Sequence, residues 1–193
     1  VPIMVQNGIT NFVSMIDNIM VGRVGTNEMS GVAIVNQLIM VFNLCIFGGV
    51  AGAGIFTAQF HGARNTEGIR YTFRYKIIVV AIITVLNIAI FLGFGEELIR
   101  LYLHGESGAE EAIAGTFHNA KVYLGVMLIG LPPFAISQAY GDTLRCSEET
   151  IVPMKAGVVS VVVNLSLNYV LIYGKLGAPA LGVAGAAIAT IIA

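Results

Sequence analysis

The chain has 193 residues, 56% of them hydrophobic and only 11% charged, with a net charge of -1 and a mean hydropathy of +0.85. A soluble domain carries about a quarter charged residues, so this balance describes a helical membrane protein; it also excludes a nucleic-acid-binding role, which needs a basic surface. The charges gather in short segments between apolar runs long enough to cross a bilayer.

Six spans are read, at about 1–22, 31–57, 77–95, 119–141, 152–173 and 182–193. The expected fold class is therefore all-α, a polytopic bundle of membrane helices. In the first span Asn7, Thr10, Asn11, Ser14, Asp17 and Asn18 recur at steps of three and four, which places them on one helical face. A charged residue at the centre of a membrane helix costs roughly 2.5–3.5 kcal/mol on insertion scales, so this stripe faces a bundle interior or a water-filled cavity. Asn, Ser and Thr also act as hydrogen-bonding glue between helices. Asp17 does not reduce to that role, because an ionisable group at membrane depth is a functional candidate by default. Asn7, Thr10 and Ser14, with Gln37 of the second span, are the candidate cavity-lining residues.

The second span contains Gly48, Gly49, Gly52 and Gly54. The spacing of Gly48 and Gly52 predicts a tight helix crossing. A phosphate-binding loop does not fit, since no strand precedes these glycines and no Gly-Lys-Ser/Thr follows them. Segment 61–76 carries Arg64, Arg70, Arg74 and Lys76 against Glu67, and segment 142–155 adds Arg145 and Lys155. The opposite side has Arg23, Arg100, Lys121 and Lys175 spread over three loops, so the positive-inside rule places the N-terminus in the cytoplasm.

Segment 96–118 is the one long connection, with Glu96, Glu97, Glu106, Glu110 and Glu111. Its Leu98, Leu101, Ala109, Ala112 and Ile113 predict a short amphipathic helix on the external surface, its acids a solvated face with no His at ligand spacing. With no Trp in the chain, Tyr71, Tyr75, Tyr102, Tyr123 and Tyr173 are the expected interfacial anchors. Cys45 and Cys146 match no metal spacing, and no disulfide is expected between them. In the fourth span, Pro132 and Pro133 each remove an internal hydrogen bond; that predicts a hinge, a cavity wall or a static kink. In the fifth, Asn164 and Asn168 are four apart and share a face, where their amides can solvate a cation, hold a carboxylic acid or join helices.

An enzyme reading finds little to work with. His61, His104 and His118 lie in or beside the loops, no nucleophile pairs with a base, and no second intramembrane carboxylate is read. No cofactor fingerprint occurs, so neither catalysis nor a cofactor is expected. What remains is movement of something across the membrane, or a structural membrane role. A single buried carboxylate serves transport by taking up a proton on one side and losing it on the other, or by joining a Na⁺ cage of amide and hydroxyl oxygens.

The chain resembles the N-terminal half of a multidrug and toxic compound extrusion (MATE) transporter along nearly all its length. The resemblance rests on Pro2-Ile3-Met4, on Asp17 to Gly25 (DNIMVGRVG), on Gln59 to Asn65 (QFHGARN), on Leu144-Arg145 with Pro153-Met154, on Asn164 to Ile172, and on Leu181 to Thr190. It implies the N-terminal lobe, six of twelve transmembrane helices, of a secondary transporter that exports cationic or amphipathic organic compounds in exchange for H⁺ or Na⁺ by alternating access. Asp17 is then the cation-coupling residue, with Asn164, Asn168 and Thr190 as partners around the proton or Na⁺. Pro2 is associated with bending of the first helix. Some family members carry a second Asp where this chain has Asn168, so a one-proton or one-Na⁺ site is expected.

The resemblance also implies a multi-pass protein of a bacterial inner membrane, with lipid, small organic cations or amphipathic drugs, and the C-terminal half of the same polypeptide as partners. The sequence starts without Met and stops within a span, so the chain is expected to be a fragment unable to transport alone. The alternatives are a lipid-linked oligosaccharide flippase of the same superfamily and a structural membrane subunit. The flippase predicts cationic side chains lining the cavity, and the spans as read contain none at depth.

Overall fold

The structure, a computed structural model, describes residues 2–104, 110–174 and 179–193; in the first helix, side chains are described at 4, 8, 11, 12 and from 15 onward. Six helices follow one another: α1 Pro2–Gly22, α2 Thr26–Gly62, α3 Thr66–Leu103, α4 Glu110–Cys146, α5 Ile151–Tyr173 and α6 Val183–Ile192. Helices α2 to α5 are long and apolar enough to cross a membrane. The fold is an all-α membrane helical bundle.

Three of these helices outrun the spans read from hydropathy. At 1.5 Å per residue the 37 residues of α2 extend about 55 Å, well beyond a hydrocarbon core of about 30 Å. The charged segments at 61–76 and 142–155 are thus mostly helix, and the turns shrink to 63–65 and 147–150. Once a helix clears the hydrocarbon nothing in the solvent stops it, and Lys and Arg stems lie along it. A residue in the left-handed region makes each turn, Arg64 at φ 54° and Glu148 at φ 63°. Asn65 Oδ1 then accepts the Gly68 N–H at 2.9 Å to cap α3.

The same effect corrects the expected surface helix at 96–118. Residues 96–103 continue α3, and 110–118 open α4; the remaining part of that segment, 105–109, lies outside the described residues. Ile99 and Leu103 are buried, and Ile113 packs against the same core, so these side chains fill the space between two long helices. Lys121 pairs with Glu96, and Arg100 lies 5.0 Å from the centroid of the Phe117 ring.

Packing sorts the helices into two groups. Helices α2, α3 and α4 pack closely together; α5 packs between α1 and α6, and α4 against α6 joins the groups. The first group's core is a stripe on α2 (Val35, Phe42, Ile46) that meets Val80 and Ile99 of α3 and Ala120 and Ala139 of α4. Most other large apolar side chains of α3 are exposed, as suits a lipid-facing helix.

The tight crossing on α2 falls on different glycines from the pair predicted. A Cβ at Gly48 or Gly52 would meet nothing within 4 Å, and both residues are exposed. A Cβ at Gly49 would stand 2.9 Å from side-chain atoms of both Val79 and Ile83, and one at Gly31 would stand 2.9 Å from the Ala120 backbone nitrogen. One residue along a helix turns the face by about 100°, so the small-xxx-small spacing names the wrong side.

Candidate functional site

Helix α5 presents Asn164, Asn168 and Ile172 as one buried stripe toward its neighbours. Asn168 is 1% exposed, and its Nδ2 donates to Asp17 Oδ1 of α1 at 2.7 Å. The same Nδ2 reaches Asn164 Oδ1 at 3.0 Å. The Asn164 amide has a second setting: turned by half a rotation, its nitrogen donates to the two Asp17 oxygens at 3.0 and 3.1 Å. One setting puts an amide oxygen beside the carboxylate, and the other puts a donor there. The Asn168 Oδ1 is buried and has no donor among the described residues, an uncommon state for a buried amide.

Asp17 lies in the wall of an open cavity of about 850 Å³ lined by α1, α2, α4, α5 and α6. Asn164 and Thr190 line it as well, so three of the four predicted coupling residues share this wall, and the fourth, Asn168, is joined to it through Asp17. The Thr190 hydroxyl donates to the Ala186 carbonyl at 2.9 Å. Tyr123 was expected as an interfacial anchor. It is instead 4% exposed and lines the cavity. Tyr173, another expected anchor, donates to the Met20 carbonyl at 3.2 Å and ties the end of α1 to α5.

The other predicted residues fall as follows. The backbone of Pro2, Asn7, Thr10 and Ser14 belongs to α1; their side chains lie outside the described residues. Asn11 and Asn18, of the same sequence stripe, are exposed. Gln37 is exposed and does not line the cavity; Asn36 and Asn43, seven apart on one face of α2, do. Pro132 and Pro133 lie inside α4, which runs as helix from Glu110 to Cys146, and Leu131, Pro133 and Phe134 line the cavity.

Two cationic side chains assigned to loops belong to the bundle. Lys76 is fully buried, with its ammonium 2.7 Å from Asp142 Oδ2 and 3.3 Å from the Thr143 hydroxyl. Gly54 makes room for this pair: a Cβ there would stand 3.2 Å from Asp142 Oδ2. Arg145, on the last turn of α4, lines the cavity. Asp142, Lys76 and Arg145 thus belong to helices of the bundle, outside the spans read from hydropathy. These groups sit on helix extensions that hydropathy reads as loop.

The fold is thus a bundle of membrane helices with a carboxylate in the wall of a largely apolar cavity, and the comparisons give its class. The MatE family model matches residues 2–170, and the chain belongs to that family of transporters. It is 30% identical over 191 residues to a probable multidrug resistance protein NorM of Thermotoga maritima, with 99% of this chain and 39% of that protein covered. It is 26% identical to the multidrug resistance protein MdtK of Edwardsiella ictaluri, with 98% and 40% covered. A solved structure of a multidrug resistance MATE family transporter of the MOP superfamily, in its outward-facing conformation, superposes with a TM-score of 0.85 at 25% identity over 99% of this chain and 40% of that one. The chain thus spans about two-fifths of the length of these relatives.

Proposed function

We propose that the chain forms the N-terminal lobe of a secondary active multidrug efflux transporter, with Asp17 as the site where a driving cation acts. The observation that carries this reading is the Asp17–Asn168 hydrogen bond at 2.7 Å, which makes a carboxylate in the cavity wall part of the contact between α1 and α5. Protonating that carboxylate removes its charge and turns it from acceptor into donor. The Asn164 amide has a setting for each state: its nitrogen faces a carboxylate, and its oxygen accepts from a carboxylic acid. A change of one proton is thereby converted into a change of bonding between α1 and α5, which is what a two-state transporter needs from its coupling site.

A proton is the favoured coupling ion because the Asn168 nitrogen already donates to Asp17, and an amide N–H repels a cation. Na⁺ is the second reading. It fits if Asn164 and Asn168 both present oxygen, which with Asp17 and the Thr190 hydroxyl forms a set of hard oxygen ligands. The unpartnered Asn168 Oδ1 favours that alternative, since a turn of the amide would aim it at the site.

In this reading the partner is a second, C-terminal six-helix lobe of the same polypeptide, and the substrates are cationic or amphipathic organic compounds. The protein resides in a bacterial inner membrane with its N-terminus in the cytoplasm, carries no cofactor and catalyses no reaction. A lipid-linked oligosaccharide flippase would line its cavity with several cations for a pyrophosphate; Arg145 is the one Lys or Arg among the described lining residues. The deciding experiment is dye efflux from proteoliposomes of the two-lobe protein with proton and sodium gradients imposed separately. Efflux driven by the proton gradient alone is expected. Efflux that responds only to sodium would replace H⁺ by Na⁺, and efflux that responds to neither would overturn the coupling.

A further inference from the structure

Helix α3 takes no part in the cavity: among the described residues, the walls come from α1, α2, α4, α5 and α6. It packs against α2 and α4, and its outer face presents Ile78, Ile82, Val85 and Leu92 at steps of four, three and seven, each more than half exposed. The helix is long and apolar enough to cross a membrane, so lipid chains cover this stripe. Toward the start of α3 the same face continues with Arg74, Tyr71 and Arg70, and Arg64 stands in the turn before the helix; all four are exposed. Arg74 lies about 6 Å beyond Ile78 along the axis, where an apolar run gives way to the headgroup layer.

Arg64, Arg70 and Arg74 have no ion pair among the described residues. Glu67, the one acid of segment 61–76, accepts from the Tyr71 hydroxyl at 3.5 Å, so three positive charges stand against one negative. The Arg74 guanidinium lies 6.0 Å from the Tyr71 ring centroid, beside an aromatic of the kind that settles at headgroup level. The other end of α3 is built differently. Arg74 and Glu96 are 22 positions apart, about 33 Å, close to the thickness of a hydrocarbon core. There Lys121 is paired with Glu96 and Arg100 lies over the Phe117 ring, so both cations have partners within the protein.

We infer that Arg64, Arg70 and Arg74 form a binding site for the headgroup of an anionic phospholipid, whose acyl chains lie along the stripe that begins at Ile78. An unpaired guanidinium fork matches a phosphate in two parallel hydrogen bonds, and a lipid brings that phosphate together with the chains the stripe calls for. The excess of positive charge selects a headgroup with net negative charge over one that carries its own cation. The inference is independent of the transport reading, since it concerns the face of the bundle turned away from the cavity.

The test is quenching of Trp fluorescence by brominated lipid in reconstituted two-lobe protein. This chain has no Trp, so Ile78→Trp supplies a reporter beside the site and Leu92→Trp one on the same face near the other end; each signal is the difference from the parent protein. The vesicles are phosphatidylcholine with rising fractions of brominated phosphatidylglycerol or brominated phosphatidylcholine. At Ile78→Trp the anionic lipid is expected to bind about tenfold more tightly, one interfacial cation being worth roughly fivefold; at Leu92→Trp the two lipids are expected to agree within about twofold. Adding Arg70→Gln and Arg74→Gln to Ile78→Trp is expected to bring the preference within about twofold, whereas Arg70→Lys with Arg74→Lys keeps the charges and the preference. Sodium phosphate is expected to act only as sodium chloride of equal ionic strength does. No preference at Ile78→Trp, an equal preference at both reporters, or a preference that survives the two Gln substitutions would overturn the site. So would its loss in the Lys variant, which would point to packing, or its loss to phosphate alone, which would give the site to a soluble anion.

Discussion

Asn168 donates to Asp17 at 2.7 Å across 151 positions of sequence, so a single side-chain amide holds a carboxylate of the first helix against the fifth. Asn168 is buried, and Asp17 lines the cavity. The carboxylate is therefore held by the amides of α5 at the edge of the cavity.

Replacing Asp17 by Asn removes the charge and keeps the shape. Gradient-driven efflux by the two-lobe protein is expected to fall to background, while its yield, its thermal unfolding temperature and its binding of a cationic dye change little. Dye accumulation in everted vesicles checks this. Efflux at more than about a tenth of the wild-type rate would exclude Asp17 as the coupling residue.

At Asn168 the two obvious changes separate in sign. Asn168→Ala strips Asp17 of its donor and leaves a half-buried acceptor unpaired, a loss of about 1–3 kcal/mol; efflux is expected to fall roughly tenfold or more, and unfolding to come earlier. Asn168→Asp puts two carboxylates on one hydrogen bond, which is stable only while they share a proton. Its efflux is expected to survive at low pH and to collapse as pH rises, whereas an unchanged pH profile would speak against direct contact in the working protein.

The Lys76–Asp142 pair predicts a double-mutant cycle. Asp142→Leu leaves the fully buried Lys76 ammonium without its partner and is expected to cost about 3–5 kcal/mol, and Lys76→Met, which leaves the partly exposed Asp142, is expected to cost less. The double variant replaces the pair by apolar side chains and is expected to recover most of that loss. Thermal unfolding of the four proteins in detergent measures the coupling, and additive losses would mean that the two side chains do not act on each other.

Gly49 and Gly48 make a matched comparison of close packing. Gly49→Leu must displace Val79 and Ile83, which a Cβ already meets at 2.9 Å, and is expected to destabilise by about 1–3 kcal/mol, as overpacking does. Gly48→Leu enters open space and is expected to be neutral or slightly stabilising, since Leu is the better helix former. A reversed order would mean that α2 meets α3 on a different face.

The sequence alone determines that this is an all-α membrane bundle, because apolar runs of spanning length leave the backbone no other way to satisfy its hydrogen bonds in lipid. It also singles out Asp17, whose charge is too costly at that depth to be incidental, and the pair Asn164 and Asn168, whose spacing puts them on one face. Tertiary structure decides which helix each of these meets. Spacing within α5 says nothing about α1, and only packing brings Asp17 to 2.7 Å from Asn168. The same holds where hydropathy misplaces a residue. Lys76 and Arg145 read as loop because a window average sees their charges, yet their helices continue and carry one into an ion pair and the other to the cavity wall. Gln37 and Gly48 fail by one residue, about 100° of helix, because a short periodic signal gives a spacing and leaves the direction of the face to its neighbours.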